Sequence, residues 1–155
     1  MTSKNVNQPI AGWPILLLLY FNRSVNTHIE LQKKLFLSFA KEKAIIPYNF
    51  KRNDYGPYDK NIKVDSLFLD SQNLIDVTIF IDPNTAMTKR MTFKINEKGD
   101  KYVEENLLTV YEKQAKKIKN IVKFCEGKSW QQIVKLVYED YDKDREILKV
   151  KIPEL

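Results

Sequence analysis

Two segments rich in strand-forming residues, separated by a short turn, constrain the fold of this chain more than any other feature. Both segments, 74–81 and 88–95, contain isoleucine, threonine and phenylalanine, and Asp82-Pro83-Asn84-Thr85 lies between them. β-Branched and aromatic residues favour strands, whereas proline and asparagine favour turns. The sequence therefore predicts a β-hairpin whose tip lies at residues 82–85.

Two helices are predicted near the N-terminus. Pro14 suits a first helical turn, where its missing N–H is not needed, and the apolar residues 15–21 continue that helix. Thr27 and Glu30 fit a capping box that begins a second helix, which runs to about residue 41. The apolar stripe of this helix is expected to contain Ile29, Leu35, Phe36 and Phe39. Its solvent-exposed side is expected to contain Gln32, Lys33, Lys34 and Lys41.

A strand, a turn and a third helix are predicted between residues 45 and 71. Residues 45–50 have strand character, and Pro47 places that strand at an edge because proline cannot donate to a ladder. Tyr55-Gly56-Pro57-Tyr58 predicts a turn, since glycine tolerates a positive φ and proline fixes its own. Asp59 is expected to cap a helix that ends near Ser71.

Three helical pieces are predicted after the hairpin. Asn96 is expected to cap the first, and capping boxes at Thr109 and Ser129 are expected to begin the other two, with a break near Leu108. The helix after Thr109 has an apolar side with Tyr111, Ile118, Val122 and Cys125. It also carries five lysines, Lys113, Lys116, Lys117, Lys119 and Lys123.

The element order is helix, helix, strand, helix, hairpin and three helical pieces, which matches a winged helix-turn-helix with a C-terminal helical extension. The end of the hairpin resembles the strand and T-x-x-G helix that leave the wing of many winged-helix regulators: Phe93-Lys94-Ile95-Asn96-Glu97-Lys98-Gly99-Asp100-Lys101-Tyr102. The predicted fold class is α+β, mainly helical. We expect a disordered N-terminus at residues 1–12, a winged-helix domain at 13–96 and the extension at 97–155.

Four further motifs occur in an order found in one group of winged-helix proteins. They are Leu31-Gln32-Lys33-Lys34-Leu35-Phe36-Leu37, Tyr55-Gly56-Pro57-Tyr58, Leu74-Ile75 and Leu136-Val137-Tyr138-Glu139-Asp140-Tyr141. They resemble the L-Q-K-L-L-F helix, the Y-G-P turn, the helix end before G-L-I and the V-Y-x-x-Y-P helix of Panacea or SocA-like antitoxin domains and of uncharacterised archaeal winged-helix relatives. Asn73 replaces the usual glycine, and Asp142 replaces the proline. The resemblance spans about residues 15–145 and implies a regulatory or antitoxin-like adaptor role with no catalytic residues.

In a winged helix, the helix from Asp59 to Ser71 occupies the position that reads the major groove. Lysine and asparagine side chains contact phosphates and base edges, and a helix N-terminus adds a positive dipole. Lys89 and Arg90 follow the hairpin turn, where they would reach a flanking minor groove. The predicted DNA-binding residues are Lys51, Arg52, Tyr58, Lys60, Asn61, Lys63, Lys89 and Arg90.

Structural roles for the same residues stay open. Lysine and arginine are common on any soluble surface, and Asp54, Asp59 and Asp65 lie among these cations. Tyr55 is expected to pack beneath its loop, whereas Tyr58 is open between packing and stacking on a base. The net charge of +6 favours a nucleic-acid partner only weakly.

Two functions follow from these features. The first is a winged-helix transcriptional regulator that binds double-stranded DNA as a homodimer, with the apolar side of the helix after Thr109 as the dimer contact. The second is an interaction module of antitoxin or adaptor type that binds a partner protein, such as a toxin. Its candidate surface is the Tyr55–Tyr58 turn together with the C-terminal helices.

Other classes of protein are excluded by what the sequence lacks. Cys125 has no second cysteine for a disulfide, and with His28 as the single histidine the usual four-ligand zinc site cannot form. The sequence has no glycine-rich phosphate loop and no nucleophile-and-base set, so we expect no metal, no cofactor and no enzyme. The longest apolar run, Trp13 to Phe21, is shorter than the roughly 20 residues that cross a bilayer. We expect a cytoplasmic protein without a membrane partner.

Overall fold

The structure is a computed structural model that describes residues 10–51, 53 and 55–141. In this part of the chain, six α-helices and a small three-stranded antiparallel sheet confirm the predicted α+β, mainly helical class. Residues 1–9 of the predicted disordered N-terminus, Arg52, Asp54 and the extension from residue 142 onward lie outside the described residues. The elements are α1 (Trp13–Asn22), β1 (Ser24–Val25), α2 (His28–Ala40), α3 (Lys60–Ser71), β2 (Ile75–Ile81), β3 (Thr88–Ile95), α4 (Glu97–Tyr102), a π-helical turn (Val103–Leu107), α5 (Glu112–Phe124) and α6 (Trp130–Tyr141).

The sheet has the order β1-β3-β2, with β3 in the centre. The predicted hairpin is confirmed, since β2 and β3 pair in antiparallel register with, for example, Ile79 opposite Met91. The inward-facing residues Met91, Phe93 and Ile95 of β3 are buried. Strand β1 has only two residues, of which Val25 pairs with Phe93, and is too short for a sequence pattern to indicate.

Helix α1 lies in the centre of the core. Pro14 is in its first turn, as predicted. The helix is preceded by Gly12, whose φ of 85° suits glycine. Residues 15–19 are completely buried because α1 packs against α2, α5 and the sheet. Trp13 stacks on Tyr111, with 3.9 Å between the ring centroids. One apolar cluster therefore contains residues of both the predicted winged-helix domain and the predicted extension.

Helix α2 is far more buried than its sequence pattern predicts. Three polar residues that were expected on its solvent side, Gln32, Lys33 and Lys34, are buried, whereas Phe39 of the expected apolar stripe is exposed. The reason is that α2 packs against α1, α5, α6 and the sheet at once. An amphipathic pattern predicts one buried side and one solvent-exposed side, so it fails for a helix that is covered by neighbours on several sides.

Apart from α3, three helices are capped by side chains as predicted. Each capping residue accepts a hydrogen bond from a backbone N–H of the first turn: Thr27 from Glu30 (3.0 Å), Asn96 from Gly99 (2.8 Å) and Ser129 from Gln132 (3.1 Å). The break expected near Leu108 is confirmed. The capping box predicted at Thr109 is wrong, because α5 begins after Tyr111, whose side chain forms no capping hydrogen bond.

Residues 45–50 form no strand, contrary to the prediction. Two of their backbone N–H groups donate to side chains instead. The Gln114 Oε1 atom accepts a hydrogen bond from the Ile45 N–H (2.7 Å), and Asp59 Oδ2 accepts one from the Asn49 N–H (2.7 Å). The path of this segment is therefore set by hydrogen bonds to neighbouring side chains and not by pairing with another strand.

The apolar side of α5 is used within the chain. Its buried residues are Ala115, Ile118 and Ile121, with Cys125 just after the helix. They are covered because α5 packs against α1 and α2. The stripe on which the expected homodimer was based is therefore not a free contact surface for a second copy.

Candidate binding surface

Helix α3 begins at a cap that α2 holds in place. Asp59 is the predicted N-cap, and its Oδ1 atom accepts a hydrogen bond from the Asn61 N–H at 2.8 Å. The buried Gln32 amide binds both backbone polar groups of Asp59, donating to its carbonyl (2.9 Å) and accepting from its N–H (3.0 Å). The start of α3 is thus fixed by a residue 27 positions earlier.

The predicted turn at residues 55–58 is fixed by the next residue of α2. Lys33 is 1% exposed, and its Nζ atom donates a hydrogen bond of 2.8 Å to the Pro57 carbonyl. Gly56 has a φ of 102°, as the turn prediction required. Burial lowers the pKa of Lys33 to about 7. Two of the motifs that carried the resemblance, on α2 and in the turn, therefore meet in space and have a positioning role.

The aromatic residues beside α3 pack inside the chain. Tyr58 is half-buried, with its ring edge-on to His28 at 5.7 Å, and Tyr55 packs edge-on against Trp130 of α6 at 6.2 Å. His28 is also half-buried. Burial, with a smaller contribution from the charge of Lys63, lowers its pKa to about 4. These contacts favour a structural role for both tyrosines.

Most of the predicted DNA-binding residues gather at the N-terminal end of α3. Lys51, Lys60 and Asn61 line one shallow depression together with Tyr58. Lys63, one turn further on, is exposed. This group is held together because the backbones of Lys51 and Tyr58 exchange two hydrogen bonds, of 2.8 and 2.9 Å. The predicted residue Arg52 lies outside the described residues.

The two predicted wing residues lie in β3, close to the hairpin turn. Lys89 and Arg90 are both exposed. Arg90 is paired across the hairpin with Phe80, and its guanidinium lies 4.5 Å from the centre of that ring. A cation stacked on an aromatic ring gains about 0.5–1 kcal/mol at an exposed site. Arg90 therefore already has a partner in its own chain.

The charge around α3 is nearly balanced. Between residues 60 and 95 the chain has five basic and four acidic side chains. Asp65 accepts a hydrogen bond from the Tyr48 hydroxyl at 2.7 Å, and burial with this bond raises the pKa of Tyr48. The donors to Asp59 and Asp65 among the described residues are uncharged groups, so these hydrogen bonds bring no additional cation to the surface. The surface is not a concentrated positive patch.

Sequence reasoning missed the apolar side chains of this surface. Val64, Leu67 and Phe68, which we call the α3 stripe, are 59%, 39% and 39% exposed. On the hairpin, Ile79, Phe80, Ile81 and Met87 are exposed as well. These seven are most of the ten large exposed apolar residues in the described part of the chain. Residues 64, 67 and 68 have the spacing of one helix face, which could have indicated an apolar surface. Ile62 and Leu69 have such a spacing as well, so the sequence does not show which set faces the core.

No metal or membrane site is found in the described part of the chain. No group of three or more His, Cys, Asp or Glu side chains is placed there to hold a metal ion. None of the described helices has the length and apolar character that a bilayer span requires. Cys125 is buried, which raises the pKa of its thiol to about 11.

Comparison with known proteins gives no family for this chain. No protein-family model, no curated protein and no solved structure matches it. The similarity to Panacea or SocA-like domains therefore stays a prediction from the sequence motifs.

Proposed function

We propose that this chain is a protein-interaction module of adaptor or antitoxin type, built on a winged helix-turn-helix with a C-terminal helical extension. The partner binds the surface formed by α3 and the β2–β3 hairpin. The proposed fold is supported by the element order and by the sheet order β1-β3-β2. A binding role, rather than a catalytic one, and a cytoplasmic location belong to the same proposal.

The exposed apolar residues of this surface carry the proposal. Large exposed apolar patches mark interaction surfaces on soluble proteins. Completing the burial of a half-exposed valine, leucine or phenylalanine contributes about 1 kcal/mol. The three residues of the α3 stripe therefore offer about 3 kcal/mol to a partner that covers them. Residues 60–95 contain five basic and four acidic side chains, so their net charge is close to zero. Electrostatic attraction therefore favours binding of nucleic acid much less than the apolar residues favour binding of a protein.

We expect a partner protein to co-purify with the tagged chain from an extract of its own organism, both before and after nuclease treatment. Leu67→Asp should reduce the recovered partner at least about tenfold, since it places a charge in the α3 stripe. Ile45→Asp is the matched control, because Ile45 is 77% exposed outside this surface. Quantitative mass spectrometry measures the recovery. Recovery that nuclease abolishes, or that both variants reduce equally, would contradict the proposal.

The second candidate is a DNA-binding transcriptional regulator. It is favoured by one observation, the exposed Lys51, Lys60 and Asn61 around one depression at the N-terminal end of α3. In this form the chain would bind double-stranded DNA, as the homodimer that two half-sites require. Its dimer contact would have to lie elsewhere than the buried side of α5.

A salt titration of fluorescent duplex binding tests this second candidate. With about six phosphate contacts, the logarithm of the affinity should fall with the logarithm of salt concentration at a slope near −5. The double variant Lys60→Ala/Lys63→Ala should make that slope shallower by about two. Lys135→Ala, a matched exposed lysine on α6, should leave it unchanged. A flat salt response would rule out the electrostatic mechanism.

A further inference from the structure

Helix α3 has two apolar sides, and the fold uses only one. Ile62 and Leu69 are buried in the core, with the buried Ser66 between them. The α3 stripe lies on the other side, at positions i, i+3 and i+4 of the helix. This spacing is the one by which a helix packs against another helix. The exposed side of α3 therefore has the pattern of a helix-packing surface.

On this exposed side of α3, the basic residues lie at one end. Lys60 and Lys63 lie in the first turn of α3, and both are exposed. From residue 64 to residue 88 the chain has no lysine or arginine. A partner that covers the α3 stripe therefore meets cations at the start of the helix and none along the rest of it.

The carboxylates of α3 are turned toward their own chain. Asp65 accepts the hydrogen bond from Tyr48, and Asp70 Oδ1 accepts one from the Val77 N–H of β2 (3.4 Å). A second copy docked on this face would bring more lysines and no free carboxylate from α3. Two copies docked through this face would bury Lys60 and Lys63 of each copy, four lysines in all, and burying them without an anionic partner is costly. The face is thus complementary to an acidic partner and not to itself.

We infer that the partner presents an acidic amphipathic helix to α3. Its apolar side chains cover the α3 stripe, and its carboxylates pair with Lys60 and Lys63. The inference rests on the proposed protein-binding function and adds the chemistry of the partner. Because Lys60 and Lys63 lie in the first turn of α3, the acidic residues lie at the end of the partner helix above Lys60, and a large apolar residue lies above Phe68. DNA supplies the anions but has no apolar surface to match the stripe.

The test uses the full chain and a defined peptide. A labelled helical peptide of about 20 residues carries leucine at i, i+3, i+4 and i+7 and glutamate on its flanks. Fluorescence anisotropy should show saturable binding, weakened at least about tenfold by Val64→Asp and by Lys60→Glu/Lys63→Glu. Ile45→Asp and Lys135→Glu are the controls and should bind as the unmodified chain does. A peptide with lysine for glutamate should bind only the Lys60→Glu/Lys63→Glu variant.

Several results would overturn the inference. These are no saturable binding of the acidic peptide, equal binding of the basic one, or a DNA duplex that displaces the acidic peptide and binds more tightly. A chain that sediments as a dimer, and becomes monomeric in Val64→Asp, would assign the face to a second copy. If the peptide fails but a nuclease-resistant partner is still lost in Leu67→Asp, the proposed function stands and only the acidic chemistry is wrong. Circular dichroism checks that each variant folds.

Discussion

Replacing Gly99 with alanine is expected to lower the free energy of unfolding by about 3 kcal/mol or more. A Cβ atom at this position of α4 would lie 2.1 Å from the carbonyl oxygen of Leu74 and 2.7 Å from Cγ1 of Ile95. The oxygen belongs to the backbone between α3 and β2, so it cannot move unless the hairpin moves. A folded domain is stable by about 5–15 kcal/mol, so this single methyl group removes a large part of the total.

Urea unfolding followed by circular dichroism measures this loss, and Gly127→Ala is the matched control. Gly127 has a φ of 80°, but a Cβ atom there would have no neighbour within 4 Å. Its replacement should therefore show the cost of the backbone conformation alone, about 1 kcal/mol. Equal losses for the two variants would mean that the close approach at Gly99 is relieved without cost.

Raising the pH from 7.0 to 8.5 is expected to stabilise the chain by about 1.5 kcal/mol through Lys33. The pKa of Lys33 is about 7 in the folded chain and 10.5 when exposed, so between these values the unfolded chain binds one more proton. The free energy of unfolding then rises with pH. The gain is absent below pH 7 and complete above 10.5. The thiol of Cys125, with its raised pKa, opposes this gain only near pH 9 and above.

Urea unfolding at several pH values should show this slope in the unmodified chain and not in Lys33→Met. Methionine has a similar length and no proton to bind, although it leaves the Pro57 carbonyl without its donor. The variant can therefore be less stable at pH 8.5 while its stability is flat with pH. Lys135→Met, at an exposed lysine, should keep the slope. A slope that persists in Lys33→Met would show that another group causes it.

Local features of this fold could be predicted from the sequence, and features that depend on distant neighbours could not. The caps at Thr27, Asn96 and Ser129 depend on residues three positions apart, and the hairpin depends on two consecutive strands joined by a short turn. The burial of Lys33 depends on Pro57, 24 positions away, and Arg23 pairs with Asp100 across 77 positions. No periodicity indicates such pairings, since they arise only when the elements pack.

The candidate site was predicted in part for the same reason. The cations around Lys60 follow one another closely along the chain, and the structure brings them to one end of α3. The α3 stripe was missed because Val64 and Leu67 fit a helical pattern as well as Ile62 and Leu69 do. Which of these two sets of residues is buried depends on where α1 and the sheet lie. The same ambiguity misled the dimer expectation for α5, whose apolar side the chain itself covers.

The packing of α1 on α5 has a consequence for synthesis. The first helix, residues 13–22, leaves the ribosome as an apolar segment, and α5 is completed only at residue 124. At about 5–20 residues per second, the nascent helix waits roughly 5–20 s before this neighbour emerges. Until α5 emerges, the side of α1 that α5 covers is available to chaperones and to other nascent chains.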